Sequence, residues 1–546
     1  MNLIAELRPI LAQPTGVSSA GYPYLSRIAW ARLRDWVPHT FAEGADLLAA
    51  VASLEGDAPA DALRVVRQVV HTAAITAPPD LWLLRQVVGA LASEGWLDRL
   101  ETGIDELPEA LEPDATLLLA RGYLVRCGPG FRWSDDPTAQ RVLHETGPLP
   151  VWPGDLSRRW TEACQGVRDH DALLLDVLAH LPERVPHAPP AWVATPEDLD
   201  IGFRLVGVVL GLRAAERIDD ALQGTLPLPE PLRARVEALL HRAGWWDDDG
   251  PTSLGLRGLK RGAGPFGIIE TYHPYLSALP RVWREGKGAV HVERAGNVAA
   301  SQDANRKTFR QANDALDRFC ADTGFDYQVF LEHAVGRGEA TRQRHHRDGD
   351  RRTYVGADLE EAALDAARAE QAKGHLPDGM RFVQADIGEP QALVDALKAE
   401  GIDPRGAVMV VGNGFHEVRR QTDERMVEVF RGYAEAGFLM LFTEESALAV
   451  DDLLRTAFNT YHAGFRYVHE RSGQGLRPAS PTPEPGLGPK LRASWTECAT
   501  RAGYRRAEDY CVRGRTIYPY TPANGHNPSL SVSHFFVPPG IPYSGA

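Results

Sequence analysis

From Asp326 onward the chain alternates apolar runs of five or six residues with segments of helical period, and that rhythm leaves few architectures open. A short run apolar on both faces suits a strand buried inside a sheet, and a helix between two such runs is the crossover that parallel strands require. Seven strands are predicted, at YQVFLE (327–332), TYVGAD (353–358), MRFVQAD (380–386), AVMVVG (407–412), FLMLFT (438–443), YRRAEDYC (504–511) and LSVSHFFV (530–537). Helices at about 338–347, 360–372, 390–400, 417–435 and 446–462 follow the first five. The last two strands lie close together and read as an added antiparallel hairpin, so 326–546 is expected to be a doubly wound seven-stranded α/β domain.

The region before it is read as mainly α-helical, and 546 residues exceed what one core serves. Three places share an amphipathic helix, a glycine followed by an aromatic, and a short polar segment: 83–100, 115–136 and 235–256. That unit suits a winged helix, with the glycine ending the helix in a left-handed cap and a hairpin as the wing. Proline-rich stretches at 147–155 and 182–198 set provisional edges. The expectation is a winged-helix-like region at 1–150, a helical linker region at 151–195 and a winged-helix-like dimerisation and substrate-roof domain at 196–325.

The wings carry Asp135, Asp136 and Asp247 to Asp249, and the net charge is −14, so phosphate contact is disfavoured and nucleic acid is not expected as a partner. The basic block Arg337–Arg352 reads as a solvated helix end and loop. Five scattered cysteines with no CxxC pair argue against a disulfide framework and a thiolate zinc site. No apolar run is long enough to span a bilayer and the N-terminus lacks a signal-peptide pattern, which implies a cytoplasmic protein away from membranes.

Three features fall at the C-terminal ends of successive predicted strands, where open α/β sheets bind ligands. Glu332-His-Ala-Val-Gly336-Arg-Gly338 is a strand-to-helix turn whose glycines admit close approach of a ligand. Asp358 follows strand two, twenty residues beyond Gly338, where a carboxylate accepts ribose hydroxyls. Asp386-Ile387 follows strand three, an acid for an amino group and an apolar cover for a ring. Each has a plainer reading as a turn or a helix cap. A dinucleotide dehydrogenase is disfavoured because Thr341 stands where its third glycine belongs.

Together these segments resemble class I S-adenosylmethionine-dependent methyltransferases, whose domain is Rossmann-like, over roughly the last 220 residues. The resemblance implies that Glu332, Gly336, Gly338, Asp358, Leu359, Asp386, Ile387 and Asn413 line the cofactor. Ala334 departs from the pattern, replacing its first glycine; an alanine is tolerable there if the turn has φ below zero.

After strand four, His416 and Glu417 are placed beside the reacting group, and His416 suits either a general base or a metal ligand. His469, farther on, is able to return to the same edge. Two imidazoles and a carboxylate with open positions suit iron or zinc. These loops look similar to the 2-oxo acid C-methyltransferases of antibiotic biosynthesis. That resemblance implies His416, Glu417 and His469 as metal ligands, Arg306 as a partner for the substrate carboxylate, Tyr272 as a substrate cover, and a 2-oxo acid as the small-molecule substrate of a homodimer. The alternative is O- or N-methylation with His416 as base and Glu417 as its orienter. The segment 474–489 is too rich in proline and glycine for regular structure and reads as a lid or a surface excursion.

Overall fold

The longest helix, α1 (Ala60–Ser93), is apolar around most of its circumference, so neighbours must cover it on several sides. In the computed structural model they do. The structure describes the chain apart from residues 1–2, 13–14, 18–22, 34–43, 148, 150–151, 153, 169–170, 184–192, 291–294, 483–485, 520–524 and 544–546, and apart from the side chains of 295–305. Both proposed linkers fall partly outside the described residues. After α1 come α2 (Glu112–Ala120), α3 (Pro196–Ala214) and α4 (Ser253–Glu270). The capping box of Thr195 and Asp198 starts α3. Glycine at 202 lets α3 lie close against α1, since a Cβ there would stand 2.5 Å from the Leu81 Cβ.

Two of the three expected units have the predicted form. Gly122 and Gly244 adopt φ of 82° and 68° and lead into hairpins, Leu124–Cys127 with Gly130–Trp133 and Trp246–Asp247 with Gly250–Pro251. The first does not: Gly95 is left-handed, but the chain continues into a helix, Trp96–Thr102, and no hairpin forms there. One apolar cluster runs from Leu7 to Val282 and takes in Leu448, Leu453, Phe465 and Val468 from the C-terminal half.

The rest of the chain is α5 (Ala295–Thr323), β1 (Val329–His333), α6 (Glu339–Asp348), β2 (Thr353–Asp358), α7 (Glu361–Ala372), β3 (Arg381–Gln384), α8 (Pro390–Ala399), β4 (Val408–Gly412), α9 (Asp423–Ala436), β5 (Leu439–Glu445), α10 (Val450–Thr456), α11 (His462–Ser472), α12 (Trp495–Arg501), β6 (Arg505–Arg506), β7 (Val512–Arg513) and β8 (Ser531–Val537). The strands form one mixed sheet in the order β6-β8-β5-β4-β1-β2-β3, with β7 also on β8. Strands β1 to β5 are parallel and β8 runs antiparallel to β5. Leu331, Val355, Met409 and Met440 pack on one face with α8, α9 and α12; Phe330, Tyr354, Val410 and Leu441 pack on the other with α5 and α7. Strand order reverses between β1 and β4, the place where such sheets open a ligand crevice.

Three local expectations are corrected. The sheet has eight strands because 504–511 breaks at a 3-10 turn, Glu508–Tyr510, into β6 and part of the approach to β7. The helix placed at 417–435 begins at Asp423, where the Thr422 hydroxyl accepts the Arg425 N–H at 3.1 Å. The helix placed at 446–462 is only α10, ending at Thr456 because Ala457 takes a positive φ of 46°, and α11 follows as a separate helix from His462. Arg344, in the basic block, is buried to 1 % exposure and donates to Asp317 at 2.7 Å, unlike a solvated face. Among the described residues no helix is long and apolar enough to cross a membrane.

Candidate functional site

The turn after β1 is built by unusual backbone. Ala334, Gly336 and Gly338 all have positive φ, at 55°, 49° and 73°. The condition for an easily tolerated alanine, a negative φ, is therefore not met at Ala334, which sits in a region that costs an L-residue about 1–2 kcal/mol. Three strand ends meet here: a Cβ built on Gly414 would lie 3.2 Å from the Ala334 Cβ and 3.3 Å from the Ile387 Cδ1. Asp358 Oδ1 accepts the Glu360 N–H at 3.1 Å, and its other oxygen is 3.5 Å from the Gly336 nitrogen. Asp386 Oδ1 accepts the Gly388 N–H at 2.7 Å. Leu359 is 40 % exposed beside them. At the end of β4, Asn413 also has positive φ, and its buried Oδ1 has no hydrogen-bond partner among the described residues. An amino group brought by a ligand would satisfy that acceptor.

Glu332 is held by backbone and side-chain donors. Its carboxylate is 2 % exposed and accepts from Ala340 N at 3.1 Å, Thr341 N at 2.7 Å and Thr341 Oγ1 at 2.6 Å. It thus closes the first turn of α6. Burial pushes this carboxyl up to about 7 against the three donors.

A second cluster lies where β4 and β5 end. His416 is on a 3-10 turn, Phe415–Glu417, and is 7 % exposed. Its Nδ1 is 2.7 Å from Glu444 Oε2, and Glu444 Oε1 accepts Phe415 N at 2.6 Å and His416 N at 3.3 Å. A carboxylate only accepts, so Nδ1 carries the hydrogen and the lone pair sits on Nε2. Glu417 Oε1 is 3.4 Å from that Nε2, and Gln474 Nε2 donates to the same oxygen. Gln474 in turn accepts from the Tyr272 hydroxyl at 2.7 Å. The Tyr272 and His469 rings are 5.7 Å apart, and those of His416 and His469 are 5.1 Å apart and edge-on.

Of the residues singled out in the sequence, His416, Glu417, His469 and Tyr272 come together. Arg306 does not join them: its side chain is 59 % exposed and pairs with Glu339 at 3.5 Å, at the start of α6. The expected metal trio is not shown either. Among the described residues no three His, Cys, Asp or Glu side chains are disposed to hold a metal ion; the Nδ1 atoms of His416 and His469 lie 2.7 Å from Glu444 and from the Phe465 carbonyl, contacts that a metal-binding imidazole also makes. The orienter of His416 is Glu444, which the sequence reading missed; an acid ending an otherwise apolar strand was the available signal. The start of the 474–489 segment is not an exposed lid, since Gln474 and Arg477 are buried and Arg477 donates to Gln421 at 2.7 Å.

No protein-family model matches this chain, and no curated protein does. Solved structures with a similar fold include the pyocyanin biosynthetic protein PhzM, at 13% identity, covering 61% of this chain and 94% of that one with a TM-score of 0.33. An O-methyltransferase from neocarzinostatin biosynthesis, solved with S-adenosylmethionine and 2-hydroxy-5-methyl naphthoic acid, matches at 16% identity over 60% of this chain and 88% of that one, TM-score 0.30. The CMeT domain of the citrinin polyketide synthase matches at 10% identity over 96% and 98%, TM-score 0.33.

Proposed function

We propose that this chain is a class I S-adenosylmethionine-dependent methyltransferase that methylates a hydroxyl or amino group of a small molecule, with His416 as general base. The observation that carries the choice of base is the buried Glu444 carboxylate 2.7 Å from His416 Nδ1, which leaves Nε2 to accept a proton. The cofactor reading is supported by the turn after β1, the acid at the end of β2 and the buried Asn413 acceptor. Asp358 would take the ribose hydroxyls, Leu359 and Ile387 the adenine faces and Asn413 an amino group, while Glu332 holds the turn. When bound, S-adenosylmethionine supplies an electrophilic methyl group on a sulfonium.

The chain's own residues do the rest. His416 Nε2 takes the proton from the acceptor's O–H or N–H as the methyl is transferred. Glu444 keeps the ring in the right tautomer and faces the imidazolium that results. Glu417, 34 % exposed and held by Gln474, is the member of the cluster best placed to meet the acceptor. Tyr272, whose hydroxyl donates to Gln474, would cover the acceptor from the N-terminal side.

C-methylation of a 2-oxo acid is the second reading, favoured by the 5.1 Å approach of the two imidazoles. The surface position of Arg306 and the two carboxylates around His416 weigh against an anionic acceptor. Incubation with labelled methyl donor and a panel of phenols, aryl amines and 2-oxo acids, read by product mass and position, tests the choice. A new methyl on oxygen or nitrogen supports the base mechanism, and a new methyl on carbon overturns it. Absence of heat in calorimetry with S-adenosylhomocysteine would overturn the methyltransferase reading itself.

A further inference from the structure

Helix α11 faces two ways. Gly464, Tyr467 and Arg471 recur at intervals of three and four, and so do His462, Phe465 and His469 on the opposite side. The second set lies toward the sheet: His462 Nε2 is 2.8 Å from Glu445, and His469 approaches His416. The first set is held by two buried acids from the N-terminal region. Asp114, 1 % exposed on α2, accepts from the Tyr467 hydroxyl at 2.9 Å and from Arg471, whose other nitrogen donates to the Ala110 carbonyl at 2.8 Å. Asp80, fully buried on α1, accepts the Gly464 N–H at 3.1 Å and pairs with Arg121. Arg121 donates to the Ala457 and Thr460 carbonyls at 2.7 and 3.3 Å, fixing the break that sets where α11 begins. The fit is close: a Cβ on Gly464 would stand 2.3 Å from Asp80 Oδ1.

Buried acids on helices outside the sheet are costly unless they secure something. We propose that Asp80 and Asp114 are positioning residues that act through α11 on His469, so that the helices of residues 60–121 are a working part of the reaction centre. Where it concerns turnover, the inference rests on the methyltransferase reading; where it concerns α11, it stands on contacts alone.

The full chain serves as the test object. Tyr467→Phe removes one hydroxyl from Asp114 and keeps the ring, and Asp114→Asn removes the charge. Hydrogen exchange of residues 462–472 read by mass spectrometry is expected to quicken by about tenfold or more, in the order wild type, Tyr467→Phe, Asp114→Asn, with β1 and β4 unchanged. Turnover is expected to fall by up to about 100-fold, the usual effect of a displaced group near the chemistry, while affinity for S-adenosylhomocysteine stays within about twofold. Wild-type exchange in 462–472, or faster exchange there with undiminished turnover in Tyr467→Phe, overturns the proposal. If wild-type protein fails to bind S-adenosylhomocysteine, the methyltransferase reading falls, and the exchange result still decides whether the acids hold α11.

Discussion

Replacing Glu444 by glutamine changes one atom and reverses the chemistry at His416. The carboxylate accepts from three donors, the Phe415 and His416 amides and His416 Nδ1. A glutamine keeps one acceptor oxygen, and two buried backbone donors left unpaired would cost more than one side-chain bond, so that oxygen stays on the amides. The new NH2 group then points at His416 Nδ1. Only the tautomer with its hydrogen on Nε2 accepts from it, and that tautomer has no lone pair left for the acceptor's proton. General-base catalysis contributes about 10²- to 10⁴-fold, so kcat/KM is expected to drop by that factor, about 3–5 kcal/mol in the barrier. Two measurements check this: kcat/KM with the acceptor from the product screen, and the tautomer of His416 by nitrogen-15 NMR. Affinity for S-adenosylhomocysteine should be unchanged, because Glu444 does not take part in the turn after β1. A variant that keeps turnover within about threefold of wild type, or whose ring stays protonated at Nδ1, refutes the assignment of base and orienter.

Ala334→Gly relieves a left-handed alanine worth about 1–2 kcal/mol and gives back about 0.5–1 kcal/mol of chain entropy, so a thermal midpoint higher by a degree or two is expected; a lower midpoint contradicts the strain. Glu332 is held up to about 7 by burial, above its ordinary value of 4.5, so its stabilising share is complete at pH values below the unfolded pKa and is lost as pH rises through 7, by about 3 kcal/mol. Wild type should therefore lose thermal stability between pH 5 and 8 with a slope that Glu332→Gln flattens; equal slopes rule this out. Exhaustive chelation should leave kcat/KM unaltered under the base mechanism, and a loss restored by iron or zinc would instead favour the 2-oxo acid reading.

What the sequence made legible was local. Strands β1, β2, β4 and β5 are each a short, largely apolar run closed by a turn, and a buried parallel strand needs little else to declare itself, so their positions and the acid at 358 were readable; β3, at the sheet edge, is mostly exposed. The start of α9 was misplaced by six residues because the apolar period begins earlier than the cap, although Thr422 is the kind of residue that begins a helix. The break before α11 escaped notice for a different reason: no glycine or proline marks it, and Ala457 is held at a positive φ by its surroundings, where Arg121 binds its carbonyl from 336 residues away.

The same distance hid the chemistry of the site. His416 was conspicuous as a histidine in a loop after a strand, but Glu444, which gives the ring its direction, looked like the polar end of β5, and Tyr272 meets Gln474 across 202 positions. A residue type and a strand end can be read from periodicity; the partner of a buried acid cannot, because it is set by which elements pack together. A buried carboxylate must nevertheless find donors, so each acid inside an apolar segment carries a demand that the fold has to meet. Asp80, Asp114, Glu332 and Glu444 are four such acids, and three elements meet them: α11 the first two, α6 the third and the His416 turn the fourth. In a chain of this kind the unexplained acid in a hydrophobic run is thus the position from which to look for the long-range contact that builds the site.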